Sequence, residues 1–77
     1  MKLATTLYEV LVTARGKTVT EVADELKMSR PSFSNVINGS ASLSVELALR
    51  IEKKFGFQAR TLLIQQLDEQ ISAARKR

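Results

Sequence analysis

An all-α chain of five helices is what this sequence predicts, and three observations predict it. Apolar residues recur every three or four positions in each long segment, the spacing of one helix face. Helix-starting and helix-stopping residues punctuate those segments: Thr18 with Glu21, Ser29 and Ser44 at starts, and Gly16, Gly39 and Gly56 at ends. No segment alternates apolar and polar residues long enough for a strand.

In the first helix, Leu3 to about Ala14, Leu3, Leu7, Val10, Leu11 and Ala14 form one stripe, with Tyr8 and Val12 off it; Arg15-Gly16 ends it. Thr18 then caps a second helix, and Glu21 three residues on completes a reciprocal pairing that satisfies two otherwise unpaired N–H groups. Val22, Ala23 and Leu26 share a face of it. The pattern breaks at Lys27-Met28-Ser29, after which Ser29 caps a third helix carrying Phe33, Val36 and Ile37 at helical spacing. Asn38-Gly39 closes that helix, the glycine supplying a positive φ.

Ser40-Ala41-Ser42 is a loop of small residues, and Ser44 caps the fourth helix with Glu46 near its positive end. Leu47, Ala48, Ile51 and Phe55 mark its buried side, Glu52, Lys53 and Lys54 its solvated one, and Gly56 stops it. The last helix runs from about Ala59 to Ala74, with Leu63, Leu67, Ile71 and Ala74 spaced by four, four and three. Leu62 and Ile64 widen that band beyond one stripe. So much apolar surface on a terminal helix predicts one side on its own domain and another on a second copy, with Leu62, Leu63, Ile64, Leu67 and Ile71 at the interface. A fully intramolecular core is the alternative.

The 77 residues read as a single domain near the lower limit for a core that stands without metal or disulfide, which also favours a homodimer. Cysteine and histidine are both absent, removing disulfides, thiolate metal sites and the commonest general base. Glu21, Asp24 and Glu25 read as the solvated side of a helix rather than a carboxylate metal site, so no metal or cofactor is expected. With only three isolated glycines to cradle a phosphate, the chain does not read as an enzyme. Lysine and arginine outnumber the acids 12 to 8, a net charge of +4 that favours a polyanionic partner. Met1-Lys2-Leu3 leads directly into a segment interrupted by Thr5, Thr6 and Glu9, and no apolar run reaches membrane-spanning length. The expectation is a cytoplasmic protein.

The exposed positions of the third helix are Arg30, Pro31, Ser32, Ser34 and Asn35. Placed in a DNA major groove, Arg30 can fork onto guanine and Asn35 can pair with adenine, Pro31 offers apolar contact to a thymine methyl, and Ser32 is an adaptable reader. Thr18, Ser29, Asn38 and Ser40 suit phosphates. Each residue also has an ordinary structural use: Thr18 and Ser29 are caps in any helical domain, Pro31 fits any first turn, and a lone Arg30 is a common surface charge. The combination carries the functional reading, because the stretch from Met28 through Ala41 holds no acid.

The Thr18-to-Gly39 arrangement resembles the helix-turn-helix of the XRE, or lambda-repressor and Cro-like, family of DNA-binding proteins. Ala23 matches the small residue that lets the two helices approach, and Val22, Leu26, Met28, Phe33 and Val36 match the apolar residues that set their angle. Lys27 stands where the family usually has a left-handed glycine, a strain of roughly 1–2 kcal/mol, and Val19 where it often has Gln. Leu47 to Gly56, L-A-L-R-I-E-K-K-F-G, is further similar to the segment after the helix-turn-helix of HigA-type antitoxins, without their H-P-G-E opening or the aromatic pair before the last helix, where Thr61-Leu62 stand. The resemblance implies a five-helix lambda-repressor-like domain and a dimeric repressor on a palindromic operator in double-stranded DNA. It further implies an autoregulating antitoxin that neutralises a toxin encoded beside it, the alternatives being a stand-alone repressor and a mainly protein-binding module.

Overall fold

The computed structural model describes residues 2–76 and contains five α-helices and no strand among them. Helix α1 (Leu3–Leu7) runs without a break into a π-helical stretch (Tyr8–Thr13), followed by α2 (Val19–Glu25), α3 (Arg30–Ile37), α4 (Val45–Phe55) and α5 (Ala59–Arg75). The all-helical expectation therefore holds. Phe33, Leu7, Leu11, Leu26, Ile51 and Val22 form the fully buried centre of the core.

The first helix departs from its expected register. The N–H of Ala14 donates to the carbonyl of Glu9, and that of Lys17 to Val12, each spanning five residues instead of four. Such wider turns advance each residue less around the axis than an α-helix does. Val12, expected off the stripe, is consequently carried onto the core face beside Leu11 and is 4% exposed, whereas Ala14, expected on it, is exposed.

Helix α2 starts as its sequence signals. Thr18 Oγ1 accepts from the N–H of Glu21 at 3.1 Å, and Glu21 Oε1 accepts from the N–H of Thr18 at 2.9 Å. It ends in a paired cap: the N–H of Lys27 donates to the Asp24 carbonyl at 3.1 Å and that of Met28 to the Ala23 carbonyl at 3.0 Å. This geometry requires a left-handed residue between the helices, and Lys27 adopts φ 56°. A Cβ is disfavoured there, so Lys27→Gly is expected to raise stability by about 0.5–1 kcal/mol, the strain relief exceeding the added freedom of the unfolded chain. Urea unfolding followed by circular dichroism measures it, and an unchanged or lower midpoint contradicts it.

Arg15 ties the first helix to α2 and α4. Its Nη2 lies 2.8 Å from Glu25 Oε2, its Nη1 donates to the Leu11 carbonyl at 3.3 Å, and its guanidinium sits 4.6 Å from the centre of the Phe55 ring. The hydrogen bond from Arg15 holds the Glu25 carboxyl below its ordinary 4.5, and the N–H of Thr18 does the same for Glu21. Both groups bind protons more weakly when folded than when unfolded. Their stabilisation is thus present above pH 4.5 and is lost as pH falls through the lowered folded values. Urea midpoints are expected to fall below that pH, and to fall less steeply in Arg15→Gln; identical acid profiles would count against the assignment.

Helix α5 lies on α4 and reaches α1, but not with its most apolar side. Ala59 and Leu62 face the core, joined by half-buried Gln66 and Glu69. Gln66 Oε1 accepts from the N–H of Leu43 at 2.6 Å while its Nε2 donates to the Leu43 carbonyl at 2.9 Å, and Glu69 Oε2 accepts from the N–H of Leu3 at 2.6 Å. At 8% exposure Leu62 has almost no surface left for a second copy, which corrects its place in the expected interface; Leu63 is half-buried against the same core. Ile64, Leu67 and Ile71 remain outward, 45%, 53% and 40% exposed.

Candidate nucleic-acid interface

Helix α3 is set by three local devices and one global one. Ser29, extended at φ −71° and ψ 151°, ends the turn and caps the helix by accepting from the N–H of Ser32 at 3.3 Å. Pro31 sits in the first turn, where its missing N–H leaves no bond unmade. At the far end Asn38 Oδ1 accepts from the N–H of Ser40 at 2.8 Å, and the N–H of Ala41 donates to the Asn35 carbonyl at 2.9 Å, folding the chain back against the helix end. The global device is Phe33, completely buried, with Val36 beside it and Ala23 of α2, 1% exposed, allowing close approach.

With Phe33 and Val36 inward, Arg30, Pro31, Ser32 and Asn35 are exposed, and Asn38 and Ser40 follow them on the surface. Ser34 is half-buried on the flank and is the least accessible of the expected reading residues. Thr18 and Ser29 are exposed too, but their oxygens already serve as caps, and Ser29 also donates its hydroxyl hydrogen to Ser32 Oγ at 2.8 Å. The Ser32 oxygen is thereby held in place while its own hydrogen stays available to a base or phosphate. Asn38 spends its carbonyl oxygen on the loop and keeps its amide hydrogens as donors.

Between α3 and the start of α4 lies a cleft of about 460 Å³ whose walls include Ser32, Asn35, Ser42, Ser44, Glu46 and Arg50. It brings Ser42, from the small-residue loop read in the sequence as able to approach a phosphate backbone, and Arg50 beside the reading face, and Arg50 was not among the expected site residues. For Arg50 a signal existed: Glu46 stands four residues before it, and the two form an ion pair at 2.7 Å. From Leu26 through Val45 the chain carries no acid, so that stretch presents hydroxyls, amides, backbone N–H groups and the cations Lys27 and Arg30, beside the Glu46–Arg50 pair. Such a surface suits a phosphate backbone.

No helix among the described residues is long and apolar enough to cross a membrane. None of the solved structures matches the chain. The virulence-associated protein A of Dichelobacter nodosus is 38% identical over 40 residues, covering 52% of this chain and 39% of that protein, so the likeness spans well under half of the relative's length. A family model, HTH_3, described as helix-turn-helix, matches residues 7–62, from the first buried turn to Leu62 on α5. The match thus takes in the capped α2, the left-handed turn, the outward face of α3 and the core that orients it. The chain belongs to the HTH_3 helix-turn-helix family, a family of DNA-binding transcriptional regulators.

Proposed function

We propose that this protein is a sequence-specific repressor that binds a palindromic operator as a homodimer, and that it is the autoregulating antitoxin of a toxin–antitoxin pair. The observation that carries the repressor reading is the acid-free outer face of α3, held outward by the buried Phe33. Arg30 and Asn35 read base edges, Ser32 and Pro31 add contacts in the same groove, Ser34 flanks them, and Thr18, Ser29, Asn38 and Ser40 face phosphates. The dimer reading is supported by Ile64, Leu67 and Ile71, a run of outward apolar residues on α5 that its own domain does not cover. A two-fold dimer places two copies of α3 in successive major grooves, roughly 34–36 Å apart or a multiple of that.

The test is selection from a pool of random duplexes followed by binding across a salt series. A palindromic preference that weakens steeply with salt is expected, and equal binding to unselected DNA refutes the repressor reading. Sedimentation should give a dimer that Leu67→Asp with Ile71→Asp converts to a folded monomer with weaker operator binding. An unaltered dimer would move the interface elsewhere. Co-expression with the neighbouring reading frame decides the antitoxin role: a stoichiometric complex that blocks the neighbour's toxicity supports it, and no complex leaves a stand-alone repressor.

A further inference from the structure

We propose that Arg50 is a positioning residue for DNA reading: from α4 it clamps the strained turn between α2 and α3 and so fixes the angle at which α3 is presented. The proposal rests on the DNA-binding reading. Arg50 Nη1 donates to the carbonyls of Leu26 and Lys27, at 3.2 and 3.4 Å, and Nη2 donates to Glu46 Oε1 at 2.7 Å. The first two acceptors lie 24 and 23 residues away in the chain.

The chemistry explains the arrangement. The carbonyls of Leu26, which caps α2, and of Lys27 just beyond it lie at the partially negative C-terminal end of that helix, where a cation is favoured. Lys27 sits between them at φ 56°, a conformation that persists only where its surroundings over-determine it. The caps within the turn fix its amides, and Arg50 fixes its carbonyls. Glu46 orients the guanidinium from the other side; the pair is 44% and 77% exposed, so its worth lies in aiming the fork and not in ion-pair energy. Arg50 also lines the cleft it shares with Ser32 and Asn35, so one side chain abuts both the turn and the reading face.

The competing role for Arg50 is a direct phosphate contact, and salt dependence separates the two. The probe is a duplex that the wild-type protein selects from a random pool. For Arg50→Met, which keeps an apolar stem, affinity should fall about tenfold with the salt slope unchanged. In the free protein, amide exchange at Lys27 and Met28 should accelerate about tenfold. Adding Lys27→Gly should bring the Met28 amide exchange most of the way back to the wild-type rate, because glycine holds the left-handed turn without the clamp, and this readout does not depend on the positive charge that the substitution removes from the DNA-facing surface. A salt slope reduced by about one, unaltered amide exchange, or no recovery with Lys27→Gly overturns the clamp. Should Arg50→Met fail to fold, Arg50→Lys, which loses the fork and keeps the charge, should show the same pattern at smaller amplitude, and wild-type behaviour of that variant overturns it too. If the wild type selects no duplex, the DNA reading fails while amide exchange still decides the clamp.

Discussion

Replacing Phe33 with alanine is expected to remove a large share of the protein's stability. The ring is completely buried, on a helix that packs against α1 and α2. Loss of a buried phenyl costs about 3–5 kcal/mol, against a total stability on the order of 4–12 kcal/mol for a chain of 77 residues. The variant should melt roughly 15–30 °C lower. Phe33→Leu, closer in volume, should cost about 1–1.5 kcal/mol and keep the fold. Because Phe33 also orients α3, the leucine variant should bind DNA more weakly than its stability alone explains. Thermal and urea unfolding measure the first effect and operator titration the second. A cost below about 1 kcal/mol for Phe33→Ala would show that the helices are held by something else.

Replacing Arg30 and Asn35 together with alanine should do the reverse, leaving the fold intact and removing recognition. Both side chains are exposed, and substitutions at such sites normally change stability by no more than about 0.5 kcal/mol. Each bidentate contact to a base is worth about 1–3 kcal/mol of discrimination, so the pair should reduce preference for the selected operator by about 30-fold or more. Arg30→Lys provides the sharper control. It keeps the charge and the salt slope but loses the planar fork, so it should relax the choice at one base pair while binding unselected DNA as the wild type does. Undiminished preference in the double alanine variant would remove both residues from the reading face.

Much of this was legible in the residues themselves. The Thr18–Glu21 capping box, the Ser29 and Ser44 caps, and the left-handed Lys27 and Gly39 all act within a few positions along the chain, where helical spacing alone says which groups meet. The outward set on α3 followed from the inward Phe33 and Val36 for the same reason. Two expectations failed, for different reasons. Val12 turned inward because the first helix widens to five-residue bonds, and Leu62 went into the core because α5 chose its more polar side.

That choice marks the division between what residue order determined by itself and what required the assembled fold. Helical class, element order, caps and the polar ridge of α3 depend on neighbours at most four or five residues apart, so the one-dimensional pattern suffices. Which face of α5 turns inward does not, since apolar residues lie on two of its sides. Backbone N–H groups of Leu3 and Leu43, 66 and 23 residues distant from their acceptors, required partners, and Glu69 and Gln66 supplied them. The fork of Arg50 onto Leu26 and Lys27 is of the same kind. A buried or bent backbone must have its polar groups satisfied by whatever the fold brings near, and only the packed chain decides what that is.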